Sequence, residues 1–395
     1  MSTSAGRHRR TRTLSVGAVL ALTAGAGGVY LAVAPGGGEA TAAGSARPVV
    51  VSTTAGLEQA FAKAGPGTVI QLRGGTYLPT RTLKSQADGT PTRRITVTAY
   101  GTEKATVDGS KLAAGEWLTA IGGDYWTLSN LTFRNSPSHG VVLTSSVGGV
   151  FRNLRTHGNG DSGFTLRGDG TNDNLIQNLD SYDNYDARTH GQNADGLAIK
   201  FGSGTNNKVV GARLWNNADD GLDLWRWASP VRIESSWAFG NGENRWNDAA
   251  FEGNGNGFKL GGGGASAAHV VTGNAAWNNR LHGFTENSNP GALILHRNTA
   301  YANHADGFFF ASSPSRLSRN LAAQNARGTA KLGPRAVTAA NSWDAKGAGG
   351  AFPDGRSLLR STDATTAYGP RKADGSLPET TFLTTGTEAI GAAMK

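Results

Sequence analysis

The chain has 395 residues, 57 of them Gly, no Cys, and a formal charge of +9. So much Gly, with abundant Asn and Thr, argues against a mainly helical protein and fits short strands joined by tight turns. The absence of Cys excludes a disulfide framework, and no Lys/Arg cluster beyond the extreme N-terminus marks a nucleic-acid footprint.

Residues 1–43 read as a signal peptide. Arg7, Arg9, Arg10 and Arg12 form a basic start, Leu14 to Ala34 is an apolar stretch, and Ala40 to Ala43 offers small residues for cleavage. Removal takes away four Arg and one Glu, so the charge falls from +9 to +6, which favours an anionic partner. The mature protein is expected outside the cell, with no membrane span. After Val49–Ser52, a strand, Leu57, Ala60, Phe61 and Ala64 fall at helical spacing and end at Gly65-Pro66-Gly67. One short helix here would cap the open end of a stacked core. Val69–Leu72, Gly74–Tyr77 and Ile95–Tyr100 then begin a strand-and-turn rhythm.

From Gly140 a phrase recurs: a polar residue, Gly, then a large apolar residue. The glycines are Gly140, Gly163, Gly196, Gly221, Gly257, Gly283 and Gly307, spaced by 23, 33, 25, 36, 26 and 24 residues. A second recurring part is an Asn-led segment, at Asn130, Asn178, Asn274, Asn298 and Asn320, whose amides are expected to stack between coils. Two recurring parts at this period predict an all-β, right-handed parallel β-helix over residues 44–334. A leucine-rich repeat lacks its signature here, and a propeller needs a longer period. Residues 335–395 break the rhythm and are expected to pack on the last coils. A capped solenoid of this kind needs no second copy, so a monomer is expected. The longer units place insertions at residues 182–192 and 243–255, whose Arg245, Trp246 and Glu252 would wall a cleft.

The repeat also serves as a ruler. Strand residues alternate between core and surface, so Phe258 and Leu260 face in and Lys259 faces out, as Asp223 does between Leu222 and Leu224. One outward column reads Thr165, Ala198, Asp223, Lys259, Thr285, Phe309, and the turn before it reads Asp195, Asp220, Asn256, His282, Asp306. Coils stack ~4.8 Å apart, so Asp195, Asp219, Asp220 and Asp223 converge beside Lys259. Singly, each Asp before Gly is an ordinary turn residue and each Lys a solvated one. Together, four carboxylates call for a hard cation such as Ca²⁺. A lysine next to such an ion is equipped to remove a proton α to a carboxylate, which in a uronic acid polymer leads to β-elimination.

The motifs Asn193-Ala194-Asp195-Gly196, Asn217-Ala218-Asp219-Asp220-Gly221-Leu222-Asp223, Gly255-Asn256-Gly257-Phe258-Lys259-Leu260-Gly261-Gly262 and Asn287-Ser288-Asn289-Pro290-Gly291 resemble those of polysaccharide lyase family 9, the β-helical pectate lyases. Gly369-Pro370-Arg371 and Asp374 to Pro378 resemble that family's ending. The resemblance implies Ca²⁺ held by Asp195, Asp219, Asp220 and Asp223, Lys259 as Brønsted base, and α-1,4-galacturonan (pectate, polygalacturonate) or rhamnogalacturonan as the anionic polysaccharide substrate. Lys200, Arg226, Arg280 and Asn287 are candidate substrate-binding residues on the same face. A β-helical glycoside hydrolase, a non-catalytic polysaccharide-binding β-helix and a C5-epimerase are the competing readings.

Overall fold

The computed structural model describes residues 47–386 and 389–395, so the expected signal peptide lies outside the described residues. Its strands form three parallel sheets, one of twelve strands and two of ten. The first sheet runs from Val49–Val51 to Val337–Ala339, the second from Leu83–Ser85 to Gly328–Leu332, and the third from Gly75–Tyr77 to Leu321–Ala323. Successive strands of one sheet belong to successive coils, which makes the chain a parallel β-helix. Each coil therefore carries three strands, where the sequence pattern shows two recurring parts. The reason is local. Asn130, Asn153 and Asn178 take left-handed backbone angles of 57°, 54° and 57°, and a single such residue bends one extended run into two strands.

The same bend explains a shift of register within the expected Asn segments. Asn130, Asn153 and Asn178 occupy the bend itself, where they form a short side-chain ladder at 3.1 and 3.0 Å. Asn274, Asn298 and Asn320 stand one position later, after the left-handed Gly273, Arg297 and Arg319. Their amides point inward and continue to Asn341 in a buried ladder of 3.0, 3.0 and 2.9 Å.

A longer buried ladder occupies the turn that leads into the second sheet. Asn159, Asn184, Asn217, Asn241, Asn279, Asn303 and Asn325 are linked from each Nδ2 to the next Oδ1 at 2.8 to 3.0 Å. This ladder accounts for the recurring glycines. A Cβ on Gly140, Gly163, Gly196, Gly221, Gly257, Gly283 or Gly307 would come within 2.7 to 3.0 Å of the amide nitrogen of one of these Asn residues. Six of them would also crowd a backbone oxygen of the next coil's strand at 2.5 to 2.8 Å. Space, not backbone angle, demands Gly there.

Inward residues of the three sheets form one continuous core. Phe258, Phe284 and Phe308 stack in successive coils, 4.9 Å apart and within 7° of parallel. Burial of each ring contributes about 2–3 kcal/mol, and the offset stacking adds of order 1 kcal/mol. The helix Thr54–Lys63, N-capped by Thr53, closes the N-terminal end, burying Leu57 and setting Phe61 5.0 Å from Trp126.

Residues 335–395 contribute the last strand of the first sheet and then turn back along the third sheet. Gly355 and Gly391 hydrogen-bond to Ala322 and Arg319 at the C-terminal coils, whereas Arg371 reaches Asp180 at 2.8 Å, much nearer the N-terminus. On the way Phe382 seats edge-on against Trp277 at 5.1 Å. The segment thus covers the flank of several coils beyond the last ones.

Candidate active site

The second sheet carries the site on its outer face. Its register pairs Thr165 with Ala198, Ala198 with Asp223, Asp223 with Lys259, Lys259 with Thr285 and Thr285 with Phe309, the outward column expected from the repeat. One oxygen from each of Asp195, Asp219, Asp220 and Asp223 lies within 4.8 Å of the others, and all four residues are buried.

Each carboxylate is held by the turns around it. Asp195 accepts from Ser162 Oγ at 3.1 Å through Oδ2 and from the Asp220 amide at 3.3 Å through Oδ1. Asp219 Oδ1 accepts from Asn254 N at 2.8 Å and Nδ2 at 3.1 Å. Asp220 Oδ1 does the same with Asn256, at 2.7 and 2.8 Å, and Asp223 Oδ1 accepts from the Trp225 amide at 2.9 Å. The second insertion, through Asn254, therefore helps to aim the cluster. It is braced against the first: Glu252 N donates to His190 O at 2.8 Å, Tyr185 donates to Asp248, and Tyr185 stacks on Trp246 at 4.7 Å.

Two lysines enter the cluster. Lys259 Nζ stands 2.9 Å from Asp220 Oδ2 and 3.2 Å from Asp223 Oδ2, and Lys200 Nζ stands 2.7 Å from both Asp195 Oδ2 and Asp223 Oδ2. Asp220 Oδ2 and Asp223 Oδ2 nevertheless lack a directed hydrogen bond, so attraction of charge alone holds them. Four carboxylates and two ammonium groups leave two negative charges when all are ionised. Buried, undirected, oxygen-only and doubly negative, the cluster fits a divalent hard cation.

The electrostatics follow from burial and crowding. Burial, added to repulsion from Asp223 and Asp220, raises Asp195 to about 7 even though Lys200 opposes it. Asp219 is likewise pushed well up, by burial and then by Asp220 and Asp195. Burial alone would lower Lys259, but Asp220 and Asp223 outweigh it and hold the ammonium above the ordinary lysine range. Among the protein's own charges, then, Lys259 holds its proton more tightly than a free lysine, the opposite of what a neighbouring cation does to an ammonium group.

Of the remaining expected residues, only Lys200 reaches the cluster. Lys200 is committed to Asp195 and Asp223 rather than turned to a ligand. Arg226 is exposed, in a left-handed conformation, and lies over Gly263. Arg280 is exposed with its guanidinium 5.6 Å from the Phe251 ring and donates to Gly242 O at 3.3 Å. Asn287 Nδ2 donates to Gly261 O at 3.0 Å, tying down the glycine run 261–264. That run makes room for Trp225, a residue the repeat does not single out. A Cβ on Gly262 would drive into the Trp225 ring, and the ring centroid lies 5.4 Å from Lys259 Nζ. Ser162, at the turn position one coil before Asp195, also escapes pattern reading. Extending the turn column by one coil would have found it.

Residues 32–325 match the family described as Pel9A-like, right handed beta helix region. The chain is 38% identical over 360 residues to pectate lyase PEL9 of Emericella nidulans, covering 83% of this chain and 86% of that protein. It is 36% identical to pectate lyase L of Dickeya dadantii, over 85% of this chain and 80% of that one. Its fold superposes on the crystal structure of pectate lyase Pel9A with a TM-score of 0.74 at 32% identity, covering 83% of each chain. A rhamnogalacturonan lyase superposes with a TM-score of 0.72 at 24% identity over 82% of this chain and 92% of that one, a likeness of fold alone. With its three parallel sheets and this extent of identity, the chain belongs to polysaccharide lyase family 9, the Pel9A-like right-handed β-helices.

Proposed function

We propose that the protein is a secreted, Ca²⁺-dependent pectate lyase that cleaves α-1,4-galacturonan by β-elimination, with Lys259 as the base. The observation that carries this reading is the register pairing of Asp223 with Lys259 inside a buried four-carboxylate cluster. The relatives named as pectate lyases supply the substrate class.

Asp195, Asp219, Asp220 and Asp223 would hold the ion. Ca²⁺ bound there would neutralise a uronate carboxylate, stabilise the charge that develops as the C5 proton leaves, and offset the acidic field around Lys259. The protein's own part is placement. Asn254, Asn256 and the Trp225 amide fix the carboxylates, and burial keeps the Lys259 amine among few competing waters. Lys259 Nζ takes the C5 proton, the C4–C5 double bond forms, the C4–O bond breaks, and the departing oxygen acquires a proton from solvent. The products are a new sugar end and a 4,5-unsaturated end.

Polygalacturonate with Ca²⁺ should give a steady rise in ultraviolet absorbance from the unsaturated product, abolished by EDTA and restored by added Ca²⁺. Lys259→Ala should keep the circular dichroism of the parent and lose at least about a thousandfold in kcat. New reducing ends without absorbance would sink the elimination reading, and a fully active Lys259→Ala would sink the assignment of the base.

A further inference from the structure

One coil toward the N-terminus from the Asp cluster, the same face opens into a cavity of about 260 Å³. It shares Thr165 and Ala198 with the outward column already described and Lys200 with the Asp cluster, and Arg167 and Arg188 also line it. Arg167 pairs in register with Lys200, so its Cα stands one coil spacing, ~4.8 Å, from that of a residue whose ammonium touches Asp195 and Asp223.

Three features distinguish this cavity from an ordinary groove. First, neither the Arg167 nor the Arg188 guanidinium makes an ion pair or hydrogen bond among the described residues, although Arg167 is half-buried and Arg188 is exposed. Second, Arg167 is not loose: its guanidinium carbon lies 5.6 Å from the Trp117 ring centroid, and Trp117 meets His139 edge-on at 5.4 Å. A guanidinium spread over an aromatic face keeps its forked donors free at the rim. Third, Thr165 is 4% exposed and its Oγ1 has no hydrogen-bond partner. A buried hydroxyl left unpaired is unfavourable, and a ligand oxygen would satisfy it. The nearby acid, Asp161, is turned to His139 at 3.3 Å and to the Ser162 amide at 2.7 Å.

We propose that Arg167 and Arg188 form a carboxylate-binding subsite for the sugar residue neighbouring the one held at the Asp cluster. Arg167 presents its fork to the uronate carboxylate, Arg188 closes over it from the first insertion, and Thr165 Oγ1 bonds a ring hydroxyl. The subsite makes the enzyme demand a free acid, not a methyl ester, at that position. This rests on the pectate-lyase reading for the polymer's identity, but the guanidinium pair is a separate claim.

The test uses trigalacturonate and its methyl ester, titrated calorimetrically with Ca²⁺ against full-length protein carrying Lys259→Ala to prevent turnover. Adding Arg167→Gln should weaken trigalacturonate on the order of tenfold or more and leave the ester's affinity unchanged. Arg167→Lys should recover part of the loss, since it keeps the charge without the fork. In the parent background Arg167→Gln should raise KM far more than it lowers kcat. Equal weakening of acid and ester would show a structural role only and overturn the subsite, as would unchanged binding of both or no binding of trigalacturonate by the Lys259→Ala protein. Acid-selective binding by a parent protein that forms no unsaturated product would keep the subsite and reject elimination. Full elimination at unaltered KM in Arg167→Gln would do the reverse.

Discussion

Asp223 occupies the crossing point of the site, since its Oδ2 is the one oxygen within 3.2 Å of both Lys200 and Lys259. Its neighbours Asp195 and Asp219 are held above the usual carboxylate range by burial, with Asp195 reaching about 7. A cation binds the ionised forms, so its binding must displace the protons these two retain. Sign and window follow for Asp195: above about pH 7 its carboxylate would be ionised and free to hold a cation, and below that affinity should fall as protons compete, with Asp219 acting in the same direction. Ca²⁺ titrations across pH 5.5 to 8.5 should therefore show weaker binding at the acid end with protons released, detectable as a buffer-dependent heat. Asp223→Ala should raise the Ca²⁺ requirement at least about tenfold at every pH while the circular dichroism is kept. Affinity independent of pH would mean that Asp195 and Asp219 are already ionised.

At the scale of the strand and turn, the asparagine column sets the phase of the coils. Asn241 lies in its middle: its Oδ1 accepts from both nitrogens of Asn217, and its Nδ2 donates to Leu214 O and Asn279 Oδ1. Asn241→Ala strands several buried partners at once and should cost about 3 kcal/mol or more, seen as a Tm lower by several degrees. Asn153→Ala, in the partly exposed column at the bend, should cost about 1 kcal/mol, the penalty of a left-handed residue without its local bonds. Equal losses would contradict the distinction between the two columns. These columns also show which parts of the fold were legible in the sequence. The glycines mark register because only Gly leaves room for the neighbouring amide, so counting from Gly221 and Gly257 places Asp223 beside Lys259. Asn130 and Asn274 look alike in sequence yet stand in adjacent columns, because what separates them is a left-handed backbone angle. Lys200 reads as an outward residue, and alternation cannot tell that its long side chain folds back onto Asp195. Arg167 carries no local pattern at all, since its significance comes from Trp117, 50 positions earlier.

Across the whole molecule, the segment beyond Ala339 serves as a cover for the third sheet. Trp237, Trp277 and Leu321 face outward from that sheet and are buried with Leu377, Phe382 and Met394. Near the middle of the segment, Arg371 joins Arg213 in enclosing Asp180: burial would raise this carboxyl, but the two guanidinium groups hold it below its ordinary value. Removing one member of such a buried group leaves the others uncompensated. A chain ending at Ala339 should therefore lose on the order of 10 °C in Tm and bind a hydrophobic dye, although none of the residues at the Asp cluster is touched. A Tm within two degrees of the parent would show that the solenoid stands without its cover.

The long asparagine column has one more property: from Asn159 through Asn303 each side-chain amide donates to the asparagine of the higher-numbered coil, and the series ends on Asn325. Such a series has direction but no unique midpoint, so a whole coil can be copied or deleted along it without leaving a donor facing a donor. The column alone would therefore tolerate a copied or deleted coil, but the C-terminal segment, tied to Asp180 at one point and to Arg319 and Ala322 at others, fixes the number of coils beneath it. Between residues 195 and 259 that freedom ends, because three consecutive coils must keep their order for Asp195, Asp220, Asp223 and Lys259 to meet. The column sets no limit on the number of coils; the order of those three is set by the site.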